Sequence, residues 1–163
     1  MVRQTKTNNH FTDLTLESFS FGGSSNIDTL QTQTSWTPIL SFDGDSSNIN
    51  YVVQEGLYSV VGKICKYTFR IEIESFSSNP APATASVRIS LPVPVETMVP
   101  QAFSLGFENI DLTGFVQPLL FNESGVSNYC LIKKTQKTIA PENLQKQDLL
   151  SVPIFESGGT LIL

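Results

Sequence analysis

Three stretches of the chain alternate apolar and polar residues with a period of two. In KYTFRIEIES, Tyr67, Phe69, Ile71 and Ile73 fall on one side, and Lys66, Thr68, Arg70, Glu72 and Glu74 on the other. TASVRISLPV sets Ala85, Val87, Ile89 and Leu91 against Ser86, Arg88 and Ser90, and QAFSLGFEN puts Phe103, Leu105 and Phe107 on one face. Successive side chains of a strand point to opposite faces of a sheet, so this pattern predicts strands with one dry and one wet face. Shorter candidates are WTPILSF, INYVVQ, LYSVVG, GFVQPLLF, SNYCLIKK and the terminal GTLIL. Between them stand FDGDSSN, QEG, SSNPAPA, PVPVETMVP, NIDLTG, NESG and ESGG, rich in the residue types that turns require.

About eight or nine short strands, spaced by roughly 8 to 12 residues, predict an all-β fold, an antiparallel sandwich or barrel, of which a jelly-roll-like β-sandwich is the expected form. Pro38, Pro92, Pro94 and Pro118 lie in or beside the strand candidates. Proline has no N–H to give a ladder, which places these residues at sheet edges, strand ends or bulges. Only APENLQKQDLL, Ala140 to Leu150, suits a helical turn, and it is read as a loop with a short helix.

Residues 1–35 differ from the rest. They are polar and rich in Thr, Gln and Asn, with Phe11, Leu14, Leu16, Phe19 and Phe21 thinly spread. Such a segment cannot bury enough surface to order itself alone. The expected organisation is an extended N-terminal arm over 1–35 and a sandwich domain over 36–163. Within the arm, SFGGSSNID (Ser20 to Asp28) echoes SFDGDSSNIN (Ser41 to Asn50) and is expected to form a similar local turn.

Composition narrows the function. Charged residues make up 15% of the 163, against roughly 25% in an average globular protein, and the net charge is −5. An acidic chain lacks the Lys and Arg that replace counterions on phosphates, so nucleic acid is not an expected partner. The two basic clusters, KICK (Lys63 to Lys66) and LIKKTQK (Leu131 to Lys137), are read as solvated strand edges or turns. MVRQTKTNNHFTDL has no apolar core of a signal peptide, and no stretch approaches the ~18 apolar residues of a membrane span. Synthesis in the cytoplasm without membrane insertion is expected. Cys65 and Cys130 are too few and too far apart for a zinc site or disulfide framework. Buried free thiols are the leading reading, with a Cys65–Cys130 bridge between neighbouring strands as the alternative.

Catalytic chemistry finds little to build on. His10, the single histidine, lies in the arm, so Ser-His-Asp and Cys-His arrangements would have to recruit it from there. Glu72 and Glu74 share the outward face of a regular strand with Lys66 and Arg70, the pattern of a charged solvent face. Asp43, Asp45 and Ser47 have the spacing that opens a helix-loop-helix calcium site. That loop needs Gly at its sixth position and Glu at its twelfth, where Asn48 and Gln54 stand. A hairpin turn is the better reading of DGDSSN. No catalytic, cofactor-binding or metal residue is assigned, and the chain is read as non-enzymatic.

One segment carries a family likeness. WTPILSFDGDSSNINYVVQEGLYSVVGKI, Trp36 to Ile64, resembles a segment of tail-fibre and other structural proteins of tailed bacteriophages. Its shape there is W-T-P-x-L, an apolar-Phe-Gly turn, then I-x-Y-x-x-Q-x-G-x-Y-x-x-x-G. This chain supplies Trp36, Thr37, Pro38, Leu40, Phe42, Gly44, Ile49, Tyr51, Gln54, Gly56, Tyr58 and Gly62. Leu91-Pro92 and the terminal GTLIL continue the resemblance more loosely to Leu163. The family's Gly-rich turn after Phe42 reads Asp-Gly-Asp here.

The resemblance implies a compact β-sandwich on the outside of a virus particle, forming a homotrimer and contacting capsid or tail proteins. Two roles follow. The first is a capsid decoration or cement protein, or a short-fibre knob, anchored by the arm; a chain of 163 residues opening on Met1 favours a stand-alone knob or a fibre whose shaft is another chain. The second is a tail-fibre tip or receptor-binding module for a host-surface glycan or protein. Trp36 would stand where arm becomes domain, packed against the core.

Overall fold

The structure, a computed structural model, describes residues 33–97, 100–122, 125–136 and 140–163. The arm residues Phe11, Leu14, Leu16, Phe19 and Phe21, His10 and the Ser20–Asp28 turn therefore lie outside the described residues. The strands are β1 (Thr34–Trp36), β2 (Leu40–Phe42), β3 (Asn50–Val61), β4 (Ile64–Ser75), β5 (Val87–Thr97), β6 (Gln101–Ser104), β7 (Gly106–Ile110), β8 (Gln117–Asn122), β9 (Gly125–Thr135), β10 (Glu142–Asn143) and β11 (Leu149–Ile162). They form an antiparallel β-sandwich. One sheet has the order β1-β3-β4-β11-β7; the other runs β2-β5-β9-β8-β6, with the two-residue β10 added on β9.

The strict alternation of β4 does what the sequence predicts. Cys65, Tyr67, Phe69, Ile71 and Ile73 are buried, while Lys66, Thr68 and Glu74 are exposed. Facing them from the other sheet are Leu40, Phe42, Val87, Ile89, Leu120 and Ile132, all nearly inaccessible. Tyr67 sits among aromatic rings, with Phe103 edge-on at 5.9 Å and Phe69 stacked at 6.3 Å. Edge-to-face and stacked rings of this kind add specific attraction to the area they bury.

The punctuation of the sequence misleads in four places. QEG is no break: INYVVQ and LYSVVG are one strand, β3, paired with β4 from Asn50↔Ser75 to Val61↔Ile64 with irregularities around Tyr51. Gly56 lies inside it because an indole ring needs the space that a side chain would fill. ESGG likewise lies within the 14-residue β11, of which GTLIL is only the end. Gly158 and Gly159 stand opposite Thr68 and Tyr67, whose side chains come close to where a Cβ would be. PVPVETMVP does not stop β5, which runs on to Thr97; its register against β9 shifts between Ser90 and Val95, around Pro92 and Pro94. A bulge of that kind is where a strand tolerates residues that give no ladder bond.

The fourth correction splits a predicted strand. QAFSLGFEN is two strands in different sheets, β6 paired with β8 and β7 paired with β11, hinged at the buried Leu105. Period-two text continues across the hinge although only the first half uses it: Phe103 packs against the core, while Phe107 in β7 stays 37% exposed. The count among the described residues is thus eleven strands where eight or nine are expected. The Ala140–Leu150 loop contains β10 and a single 3-10 turn, Lys146–Asp148. The first sheet also begins at Thr34, so it takes in the last two residues of the segment assigned to the arm.

Candidate functional site

The residues of the Trp36–Ile64 segment hold one another in place. Trp36 lies opposite Gly56 in the ladder, and its indole covers the space where a Gly56 Cβ would stand, with Cε2 only 2.7 Å from that position. The far edge of the indole meets the buried Phe69 ring at 6.2 Å, nearly perpendicular. Gln54 donates from Nε2 to the Pro38 carbonyl at 3.0 Å, fixing the buried proline link that carries the chain from the first sheet to the second. The Tyr51 hydroxyl accepts from the Leu40 amide at 3.2 Å and lies 3.4 Å from the Leu40 carbonyl. Gly44 and Gly62 take the left-handed backbone, at φ 97° and 60°, in the two turns. Trp, Pro, Leu, Tyr, Gln and Gly at these spacings thus form a lock between sheets.

The DGDSSN stretch behaves as a turn. Phe42 and Asp45 exchange backbone hydrogen bonds of 2.9 and 3.0 Å across it. Asp45 Oδ1 accepts from both the amide and the hydroxyl of Ser47, at 2.8 and 2.7 Å, and these bonds hold its carboxyl below the usual range. Asp43 turns instead to Arg88, 3.0 Å away. The two carboxylates do not share a target, and among the described residues no group of three His, Cys, Asp or Glu side chains converges as a metal site would require.

Behind this turn lies a contact that the sequence does not announce. The buried Asn79 donates to the Ser47 carbonyl at 2.6 Å, and its Oδ1 accepts from Ala81 N at 2.9 Å. Lys146, from the 3-10 turn, donates to the carbonyls of Asn79 and Ala81 at 2.6 and 2.8 Å. Its ammonium also stands 5.3 Å from the centre of the Phe42 ring. Lys146 and Asn79 together join three loops at this end of the sandwich. No motif could have found it, because its partners are main-chain oxygens.

The remaining sequence candidates are structural. Cys65 and Cys130 are both free and buried. Burial pushes the Cys65 thiol up and the Cys130 thiol to about 12, so neither is poised as a nucleophile near neutral pH. Glu72 pairs with Arg70 at 3.3 Å, as does Glu156 on the next strand, forming the charged face expected for β4. Lys134 departs from the expectation of a solvated cluster: it pairs with Asp148 at 2.9 Å and lies over the Phe115 ring, with its side chain 12% exposed. The Tyr129 ring packs under Arg88 at 4.6 Å, and Tyr58 lies in β3 opposite Tyr67.

The first sheet's outward face carries two adjoining hollows. A hollow of about 650 Å³ there is lined by residues that include Ser35, Glu55, Leu57, Thr68 and Arg70. A second, of about 390 Å³, adjoins it over Leu57 and Thr68 and continues to Ser59, Lys66, Gly158 and Thr160. Trp36, Gly56 and Phe69 also line the first, so its wall mixes apolar surface with hydroxyl, carboxylate and guanidinium groups. Comparison of the chain with protein-family models, with curated proteins and with solved structures finds no match.

Proposed function

We propose that this chain is a non-enzymatic structural protein of a virion, exposed on the particle surface as a capsid decoration or cement protein or a short-fibre knob. The segment before β1 anchors it to capsid or tail proteins, and the sandwich, which takes in Thr34 and Ser35, protrudes as a homotrimer. The observation that carries this reading is the lock in the Trp36–Ile64 segment. The residues through which the chain resembles phage structural proteins bind each other, so the segment's role is to build a rigid domain. Rigidity with edge strands of only three to five residues (β1, β7, β2 and β6) suits a protein that must persist on a particle surface without pairing with the wrong neighbour. The test is binding of the purified protein to assembled particles with and without residues 2–34. Loss of particle binding with the fold intact is expected; undiminished binding overturns the anchor.

The outer-face hollows favour a second reading, a receptor-binding module for a host-surface glycan. Ser35, Glu55, Thr68 and Arg70 bring hydroxyl, carboxylate and guanidinium groups around one concavity, the chemistry that sugar hydroxyls pair with. Substituting Thr68 and Glu55 and measuring adsorption to host cells separates the two readings. Only the receptor module loses adsorption.

A further inference from the structure

Asn122, the last residue of β8, is fully buried on the inward face of its strand. Neither its amide nitrogen nor its amide oxygen has a hydrogen-bond partner among the described residues. The Tyr67 hydroxyl, on a side chain that is itself buried, is unpartnered too. A buried polar group without a partner forfeits its hydration for nothing, so native proteins almost always satisfy such groups.

The ladders bring these atoms towards one place from opposite sheets. β8 pairs with β9 as far as Phe121↔Leu131, so the next pair, on the inward side, sets Asn122 beside Cys130. On its other side Asn122 lies opposite Gln101 of β6, which crosses to the first sheet: it donates to the Ile162 carbonyl at 3.4 Å and accepts from the Ile162 amide at 3.3 Å. Phe103, two residues along the same face of β6, meets the Tyr67 ring edge-on at 5.9 Å. Tyr67 extends over Gly159, where a Cβ would stand 3.1 Å from the hydroxyl oxygen, so the glycine supplies room beside it. The Cys130 and Cys65 thiols both act on the Tyr67 proton through their charge. Ser157 also comes near enough to influence it, but its hydroxyl is directed at the Ser104 carbonyl, 2.6 Å away, and leaves the Tyr67 oxygen without a bond of acceptable geometry. Asn122 and Tyr67 thus share Cys130 as a neighbour.

We propose that ordered internal water is held between the sheets at this place, bonded to the Asn122 amide and bridging it to the Tyr67 hydroxyl, with the Cys130 thiol as a weaker third partner. Two to four polar partners are what a buried water needs. Directional bonds here fix how β6 and β8 lie over β4 and β11, which the packing of aliphatic side chains alone specifies less sharply. The site neither requires nor excludes the virion reading.

NMR of the full-length, isotope-labelled protein tests it. The Asn122 side-chain amide protons, assigned through bonds so that no variant is needed, are expected to show dipolar cross-peaks to water with the sign of a long-lived bound molecule. Cross-peaks to protein protons alone overturn the proposal. A stability cycle gives a second measurement. Tyr67→Phe is expected to lower the folding equilibrium constant about fivefold in the otherwise unaltered chain, the value of one net hydrogen bond. In an Asn122→Leu background, where the water has lost its main partner, the same substitution is expected to lower it less than twofold. Equal losses in the two backgrounds overturn the bridge. Coupling without a water signal would mean that the two side chains meet directly, and also overturns it.

Discussion

At Gly56, a single hydrogen in place of a side chain decides whether Trp36 can close the edge of the core. A methyl group there would collide with the indole, and the indole has the Phe69 ring behind it, so it cannot retreat inward. Gly56→Ala is expected to cost about 1–3 kcal/mol, the usual penalty for forcing extra volume into a packed site. Trp36 is the only tryptophan, so its fluorescence reports the change directly: the emission should shift to the red as the ring is pushed into water. An unaltered spectrum with unaltered stability would show that the ring does not hold this position. Cys130 gives a prediction in pH. Burial raises its thiol from 9.0 to about 12, so between those values the folded chain keeps a proton that the unfolded chain has released. Stability contributed by the neutral thiol is therefore complete below about pH 9 and is lost as pH rises towards 12. Burial raises the neighbouring Tyr67 hydroxyl as well, which acts in the same direction. Thermal melts from pH 8 to 11 should fall, and Cys130→Ala should make the fall shallower. A slope identical in the two proteins would exclude Cys130 as its source.

Among elements, the loops at one end of the sandwich depend on Lys146. Its ammonium satisfies two carbonyls from the Asn79–Ala81 loop while Asn79 holds the Ser47 carbonyl of the DGDSSN turn. Hydrogen bonds to a charged donor are the stronger kind, and carbonyls left unpaired in a half-buried place lose their hydration without compensation. Lys146→Met keeps the length of the side chain and removes the donors. It is expected to lower stability by about 2 kcal/mol and to raise amide exchange in residues 43–48 and 76–85 ahead of the rest. Uniform exchange after the substitution would mean that the loops are held by other contacts. The same elements show what the sequence makes legible. The fold class, the inward set of β4 and the turn at DGDSSN follow from local rules, period two and turn chemistry, that hold whatever the neighbours are. The strand ends do not. Gly56, Gly158 and Gly159 resemble turn residues in isolation, and their place inside strands depends on Trp36, Thr68 and Tyr67, partners distant in sequence. The split at Leu105 is hidden for the opposite reason, since both halves obey the same alternation. The hollows of the outer face are illegible because their linings join residues of β1, β3, β4 and β11 that are distant in sequence.

For the whole molecule, the proposed role rests on the sandwich, the locked segment and the open outer face together. Small antiparallel sandwiches of this architecture host many unrelated functions, so the fold alone decides little. What the account adds is a division of labour: a rigid domain closed by the Trp36–Gly56 lock, and an outer face with two adjoining hollows. Its central claim is a place on a particle. The most direct measurement is therefore labelling of purified intact virions with an antibody raised against residues 36–163, viewed by electron microscopy. The account predicts label at regular positions on the exterior of capsid or tail. Particles free of label, with the protein confined to the soluble fraction of the host lysate, would contradict it.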